Sequence, residues 1–267
     1  MIKNCKICEG TGIVYDTDIK IGSQGELKIC SHIEKTCKCG GVVPYQIFNE
    51  KGEHSWCQCR NARLRLSSTK KAFKNSQIPK KYQWKFIDDF RKVSDKANKL
   101  IGLVSTIRGK TPNQKWKDGF YFWGPAGSGK TLLACIMLQE LVLKYNCGGK
   151  FVDLSRQFFQ RLKDSYSSSD ESYGNAGKIL DELIEAPFLV IDDFGIQRNT
   201  EWEQEMLYNL IDSRYSGEYP TIITSNVNIN SFKDIYHGRI YSRIQEMTKI
   251  IHFDLPDYRE NFLENID

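Results

Sequence analysis

The stretch GFYFWGPAGSGKTLLACIMLQELVLKY, residues 119 to 145, constrains this chain more than any other. A short apolar run, GFYFW, leads into GPAGSGKT (124 to 131), and LLACIMLQELVLKY then continues with apolar residues at helical spacing. Strand, glycine loop, helix is the context that a phosphate-binding loop requires. Gly124, Gly127 and Gly129 let backbone amides turn toward phosphate oxygens, with Pro125, Ala126 and Ser128 completing the cradle. The Lys130 ammonium is expected to reach the β- and γ-phosphates of ATP, and the Thr131 hydroxyl to ligate Mg²⁺.

Two further segments match that loop. PFLVIDDFG (187 to 195) reads as a buried parallel strand, Phe188 to Ile191, ending in adjacent carboxylates. Asp192 is expected to hold Mg²⁺ and Asp193 to polarise the attacking water. TIITSN (221 to 226) is another β-branched strand, and Asn226 at its end would face the γ-phosphate or the water. Apolar runs alternating with helical patterns imply an α/β domain with a parallel sheet covered by helices. SYSSSDESYGNAG (165 to 177) reads as a loop.

Phosphate loops serve many enzymes, so the surrounding residues must choose. No Asn/Thr-Lys-x-Asp segment is present to read guanine, the serine-rich loop carries no arginine for a kinase lid, and the domain is small for a processive helicase. The composition, 40% hydrophobic and 27% charged, is that of an ordinary water-exposed chain. No apolar run is long enough for a bilayer and the start MIKNCKICEG lacks a signal peptide's apolar stretch, so a cytoplasmic protein without a membrane partner is expected.

Seven of the nine cysteines lie in the first 59 residues, which in a reducing compartment favours a metal over disulfides. Cys5 and Cys8 in CKICEGTG, with Cys57 and Cys59 in CQCRNARLRL, match one tetrahedral structural Zn²⁺ site. Cys30, His32, Cys37 and Cys39 could form a second site, exchange with the first, or remain reduced. Nine basic residues and no acid fall between Arg60 and Lys85, with Tyr82 and Trp84 near the end, so either phosphate contact or a solvated helix explains that connector. The expected organisation is a Cys-rich module (1–60), a basic linker or helix (61–85) and an ATPase domain (86–267). Gripping a protein partner is the module's expected task, and binding single-stranded DNA is the second option.

GRIYSRIQ (238 to 245) places Arg239 and Arg243 on one helical face beside Ile240, Ile244 and Met247. Together with GPAGSGKT, IDDFG and WEQEMLYNLIDSRYSGEYPTIITSN, it resembles the DnaC/DnaI and IstB group of AAA+ ATPases, over roughly residues 78 to 259. These are bacterial replicative-helicase loaders and transposition helpers. The resemblance implies an AAA+ P-loop three-layer domain, ATP-controlled self-association into a ring or spiral, and a hexameric replicative helicase as client on single-stranded DNA. It implies that Arg243 is an arginine finger reaching a neighbouring subunit's ATP, with Arg239 flanking it. A rigid, always-charged guanidinium suits that task. Arg214 in LIDSRY is a weaker interface candidate. Arg259 in LPDYRENF matches the family's sensor arginine near the nucleotide, although the few residues after Asn226 leave room only for a reduced or absent lid. The Cys-rich front end favours a loader over a transposition helper, and an ATP-binding adaptor with little hydrolysis is the third reading.

Overall fold

The computed structural model describes residues 5–16, 25–90, 98–103, 119–154, 158–167, 173–195, 200–233 and 238–258. Its centre is a five-stranded sheet ordered β6-β7-β8-β5-β9, with every neighbouring pair parallel. The strands are β5 (Gly119–Trp123), β6 (Lys150–Asp153), β7 (Leu189–Phe194), β8 (Thr221–Ser225) and β9 (Thr248–His252). The strand that feeds the phosphate loop therefore lies inside the sheet, with β8 and β9 on its two sides.

Strand side chains alternate between faces, and each face has its own core. Phe120 and Phe122 of β5 pack with α3 (Lys130–Tyr145), the helix that the loop opens. Tyr121, between them in sequence, packs on the other side with Leu189 and Ile191 of β7 and with helices α4 (Phe159–Ser167), α5 (Tyr173–Ile184), α6 (Glu201–Ser216) and α7 (Arg239–Met247). Helix, sheet, helix makes three layers. Burial on both faces explains why β5 and β7 read as apolar runs rather than alternating ones. The serine-rich stretch departs from the expected loop: α4 runs to Ser167 and α5 starts at Tyr173, so only 168–172 fall outside the described residues.

Helix α3 is unbroken by glycine, proline or any β-branched run, and Leu133, Ile136, Met137, Leu138 and Val142 are buried along it. Asn146 ends it in the left-handed conformation (φ 51°), donating its amide to Val142 O. The buried Gln139 amide then ties down the incoming chain. Its Oε1 accepts from Trp84 N at 2.8 Å and its Nε2 donates to Lys85 O at 2.7 Å.

The N-terminal region builds two antiparallel hairpins, β1 (Ile13–Asp16) with β2 (Glu26–Ile29) and β3 (Gln46–Phe48) with β4 (His54–Trp56). Between the hairpins lies the short α1 (Ser31–Lys35), and α2 (Arg60–Asn75) follows them. The basic connector is thus mostly helix. It is also docked: Arg65 Nη2 donates to Lys144 O at 2.6 Å, and Thr69 Oγ1 donates to Asn146 Oδ1 at 2.7 Å. Both acceptors belong to the far end of α3 or its cap, so the cysteine-bearing region rests on the helix that starts at the phosphate loop. Among the described residues no helix is long and apolar enough to cross a membrane.

Candidate nucleotide site and cysteine clusters

The phosphate loop has the backbone that its glycines foretell. Gly124, Gly127 and Gly129 take φ values of 150°, 73° and 92°, which L side chains rarely adopt. Space is as restrictive as torsion: a Cβ at Gly124 would strike Phe253 O, and one at Gly127 would strike the Asp257 carboxylate. Lys130 is buried, and its ammonium donates to Gly124 O at 2.9 Å and Pro125 O at 2.7 Å. Ser128 Oγ closes the loop on Pro125 O at 2.8 Å. Ala126 lies within the same turn.

Behind the loop, one carboxylate oxygen gathers two hydroxyls. Asp192 Oδ1 accepts from Thr131 Oγ1 at 2.8 Å and from Thr224 Oγ1 at 2.5 Å. Burial raises the Asp192 pKa to about 6, against the lowering effect of the two hydroxyls, and Asp193 and Asp153 raise it further. A cation nearby would reverse that penalty. The Thr131–Asp192 oxygen pair is the hard donor set that Mg²⁺ takes.

Asp193 is aimed by an irregularity. The register between β7 and β8 advances three residues on β7, from Ile191 to Phe194, but two on β8, from Ile223 to Ser225. This is a β-bulge, and it puts Asp193 at φ 57° with its amide donating to Thr224 Oγ1 at 3.3 Å. Bulged, left-handed backbone at a strand end re-aims a side chain away from simple alternation. Asn226 follows β8 directly and is exposed. Its neighbours are fixed: Ser225 Oγ donates to Phe194 O at 2.7 Å, and Tyr121 Oη donates to Val227 O at 2.9 Å. The structure thus brings Lys130, Thr131 and Asp192 together, with Asp193 and Asn226 at adjacent strand ends.

The arginines fall into different settings. Arg243 is partly exposed and engaged within its own chain, pairing with Asp212, donating to Tyr208 Oη at 3.1 Å and lying over the Tyr208 ring at 5.0 Å. Arg239 opens α7 one turn earlier, beside the buried Ile240 and Ile244. Arg259 lies outside the described residues, although Tyr258 before it donates its amide to Gly127 O at 3.2 Å, so the chain passes over the phosphate loop there.

Arg214 corrects the expectation of an interface residue. It is fully buried, and its guanidinium donates to Thr221 Oγ1 and to the carbonyls of Leu183, Ile184, Ala186 and Pro220 at 2.7–2.9 Å. Burial lowers its pKa to about 9, which leaves it charged at pH 7. Its five acceptors come from the end of α5 and the entry to β8, so it locks those segments to α6. A five-donor fork can satisfy so many acceptors at once.

The cysteines require a second correction. The expected Cys5–Cys8–Cys57–Cys59 site does not form, because each pair closes with residues from the middle of the module. Cys5, Cys8, Cys30 and His32 make one group, and Cys37, Cys39, Cys57 and Cys59 the other; within each, ligand atoms lie within 4.8 Å of one another. Separations are 3.8 Å for Cys5–Cys30 and for Cys8 Sγ–His32 Nδ1, and 3.7, 3.5 and 3.4 Å for Cys37–Cys39, Cys37–Cys59 and Cys39–Cys59. A tetrahedron with metal–sulfur bonds of ~2.3 Å has edges of ~3.8 Å, so both groups fit a closed four-ligand metal site. Backbone amides of Cys59, Lys38 and Cys39 also hold the Cys57 thiol down to about 6, near thiolate at neutral pH.

Sequence reasoning missed Thr224 and the partition of the cysteines. Thr224 could have been found by stepping back two residues from Asn226 along the strand beside the acidic pair. The partition follows from α1, which carries His32 beside Cys30, and from Cys59, which caps α2 beside the second hairpin.

A family model described as IstB-like ATP binding protein matches residues 59–248. Among curated proteins, the replicative helicase loader DnaC of Escherichia coli K12 is 28% identical over 145 residues, 52% of this chain and 56% of that protein. YdaV, an uncharacterized protein of the same strain, is 29% identical over 149 residues, 54% of this chain and 56% of its own length. The alignments thus span about half the length of these relatives. Among solved structures, the DnaC helicase loader superposes with a TM-score of 0.56 at 24% identity, covering 64% of this chain and 98% of that one. DnaI superposes at 0.54 and 21% identity, covering 68% and 94%, and AMPPCP-bound DnaA from Aquifex aeolicus at 0.53 and 16%, covering 68% and 56%. These likenesses are of fold alone, a parallel sheet covered by helices. The family match spans more than half of the sequence and contains the phosphate loop, the acidic pair, Asn226 and both α7 arginines: this chain belongs to the IstB-like ATP binding protein family.

Proposed function

We propose that this chain is an ATP-hydrolysing switch that loads a replicative DNA helicase onto single-stranded DNA, and that it works as a ring or spiral of identical subunits. The carrying observation is the Lys130–Thr131–Asp192–Thr224 cluster, set in a domain whose curated relatives include helicase loaders. Loop amides and Lys130 hold the phosphates, the ammonium exchanging the Gly124 and Pro125 carbonyls for phosphate oxygens. Thr131 and Asp192 would hold Mg²⁺, which would supply charge neutralisation to the phosphates when bound. Asp193 orients the attacking water and accepts its proton, and Asn226 holds that water without adding charge.

Arg243 completes the site of the adjoining subunit, with Arg239 flanking it and Arg259 toward the nucleotide of its own chain. In one chain alone the Arg243 guanidinium is held by Asp212 and Tyr208, so assembly exchanges those partners for phosphate oxygens. Hydrolysis then reports assembly. Zn²⁺ is the metal we assign to both cysteine groups, with a stapling role: each set is a closed set of four ligands in a region too small for a large core of its own. The cysteine module 1–60 and basic helix 61–85 would hold the client while 86–267 turns over ATP.

The test is capture by the full chain with ATP present. Recovery of a hexameric helicase, with ATPase activity stimulated by it, supports the loader. Recovery of a transposase supports the second reading, a transposition helper. Absence of turnover with client and DNA both present would leave an ATP-binding adaptor.

A further inference from the structure

The second hairpin carries a surface that the ATPase chemistry does not use. In its register Phe48 pairs with His54 and Gln46 with Trp56, so these four side chains share one face of the two-stranded ribbon. Ile47, on the other face, packs toward the Cys57–Cys59 core. Phe48 is 70% exposed and Trp56 52%, and His54 between them is exposed as well. The rings meet at a tilt or edge-on, 6.4 Å from Phe48 to His54 and 6.3 Å from His54 to Trp56, so none is stacked flat on its neighbour. Apolar rings this open on a two-stranded ribbon need an occupant.

Charge identifies it. The Arg60 guanidinium lies 4.2 Å over the Trp56 ring, bringing α2 to the edge of the aromatic face. Along α2, Arg60, Leu64, Lys71 and Lys74 recur at helical spacing on one side, and Leu64, Lys71 and Lys74 are exposed. From His54 to Ile87 the sequence holds no carboxylate, and at the hairpin tip Lys51 stands between Glu50 and Glu53, the latter bonded to Asn49. An apolar protein patch would call for neutral surroundings, whereas a row of open rings leading into a cationic stripe matches a polyanion whose flat groups are unpaired.

We propose that the β3–β4 face and the adjoining stripe of α2 form a binding surface for single-stranded nucleic acid. Bases stack on Phe48 and Trp56, with Arg60 holding Trp56 from its other side, and the backbone phosphates follow Lys71 and Lys74. This deepens the loader reading by giving the DNA strand a seat on the cysteine module. Because α2 is tied to the end of α3, the seat is linked mechanically to the phosphate-loop helix.

The experiment is fluorescence anisotropy of a labelled oligothymidylate with the full chain, against a duplex control. Wild type binds the single strand better than the duplex. Phe48→Ala and Trp56→Ala each weaken binding on the order of tenfold, and Trp56→Phe recovers most of it. Arg60→Ala with Lys71→Ala flattens the salt dependence. Metal content and ATPase rate are measured on every variant; should Trp56→Ala lose metal, Phe48→Ala decides, since Phe48 is exposed and is not packed into the Cys57–Cys59 core. The proposal is overturned if wild type ignores the oligonucleotide, if Phe48→Ala binds it like wild type, or if the aromatic variants lose helicase capture while keeping the oligonucleotide. Helicase capture by wild type bears on the loader reading separately, so the two can fail independently.

Discussion

The nucleotide site and the cysteine module differ in how far apart in sequence their parts lie, and that difference decided what each disclosed. The phosphate loop is contiguous: six residues between a strand and a helix, with the two that open the helix, set their own backbone, and Asp192 and Thr224 arrive from elsewhere. The cysteine groups bring together contacting pairs such as Cys5 and Cys30, 25 residues apart in sequence, and each knuckle could close with more than one partner. A local motif dictates local geometry. A set of interchangeable ligands does not, because seven cysteines and a histidine allow many closures of equal chemical merit.

The largest expected effect sharpens that contrast. With structural zinc worth about 10–16 kcal/mol in small domains, each cluster stands or falls as a unit. Wild type should hold two zinc ions per chain by mass spectrometry under native conditions. Cys5→Ser and Cys59→Ser should each leave one, because they belong to different groups. If either substitution removes both ions, the partition is wrong and a single shared site returns.

On the contiguous side, Lys130→Ala should abolish tight ATP binding and lower turnover by about 10³-fold, the scale for a charge that meets developing negative oxygen. Calorimetric titration with a nonhydrolysable ATP analogue checks it; binding at wild-type affinity would break the assignment. Arg214→Met should cost roughly 3 kcal/mol in thermal or denaturant unfolding, because several buried carbonyls lose their donor together. Arg214→Lys should recover little, since one ammonium cannot span the same fork. Thr224→Val comes last, at about 1 kcal/mol, from loss of one hydroxyl donor to Asp192. Its signature is a higher Mg²⁺ requirement with ATP affinity little changed.

Within the portion matched by the ATP-binding family, the three strand cores, α3, α6 and the helix bearing Arg239 and Arg243 were legible, because doubly buried strands and unbroken apolar periodicity carry their own signal. The strand order was not, since adjacency of β8 and β9 to β5 depends on packing that no local pattern records. The place of Asp193 at the end of its strand was legible, but the bulge that turns it was hidden, because a bulge adds one residue without changing composition. Arg214 misled for a related reason. Helical spacing cannot distinguish an arginine facing solvent from one facing five inward acceptors. Serines between 165 and 177 suggested a loop, yet α4 and α5 enter from both ends, where neighbouring helices override weak propensity.

The central claim is that each ATP site is finished by Arg243 from an adjoining molecule, and mixing two inactive variants tests it most directly. Asp193→Asn keeps the arginine but loses the carboxylate proposed to handle the water; Arg243→Ala keeps that carboxylate and loses the arginine. Steady-state ATPase of each alone should be near background, and an equimolar mixture at assembling concentration should regain a substantial fraction of wild-type turnover, because some junctions pair an intact Asp193 with an intact Arg243. A mixture that co-assembles yet stays at background, or an Arg243→Ala protein that hydrolyses ATP at the wild-type rate, would contradict it.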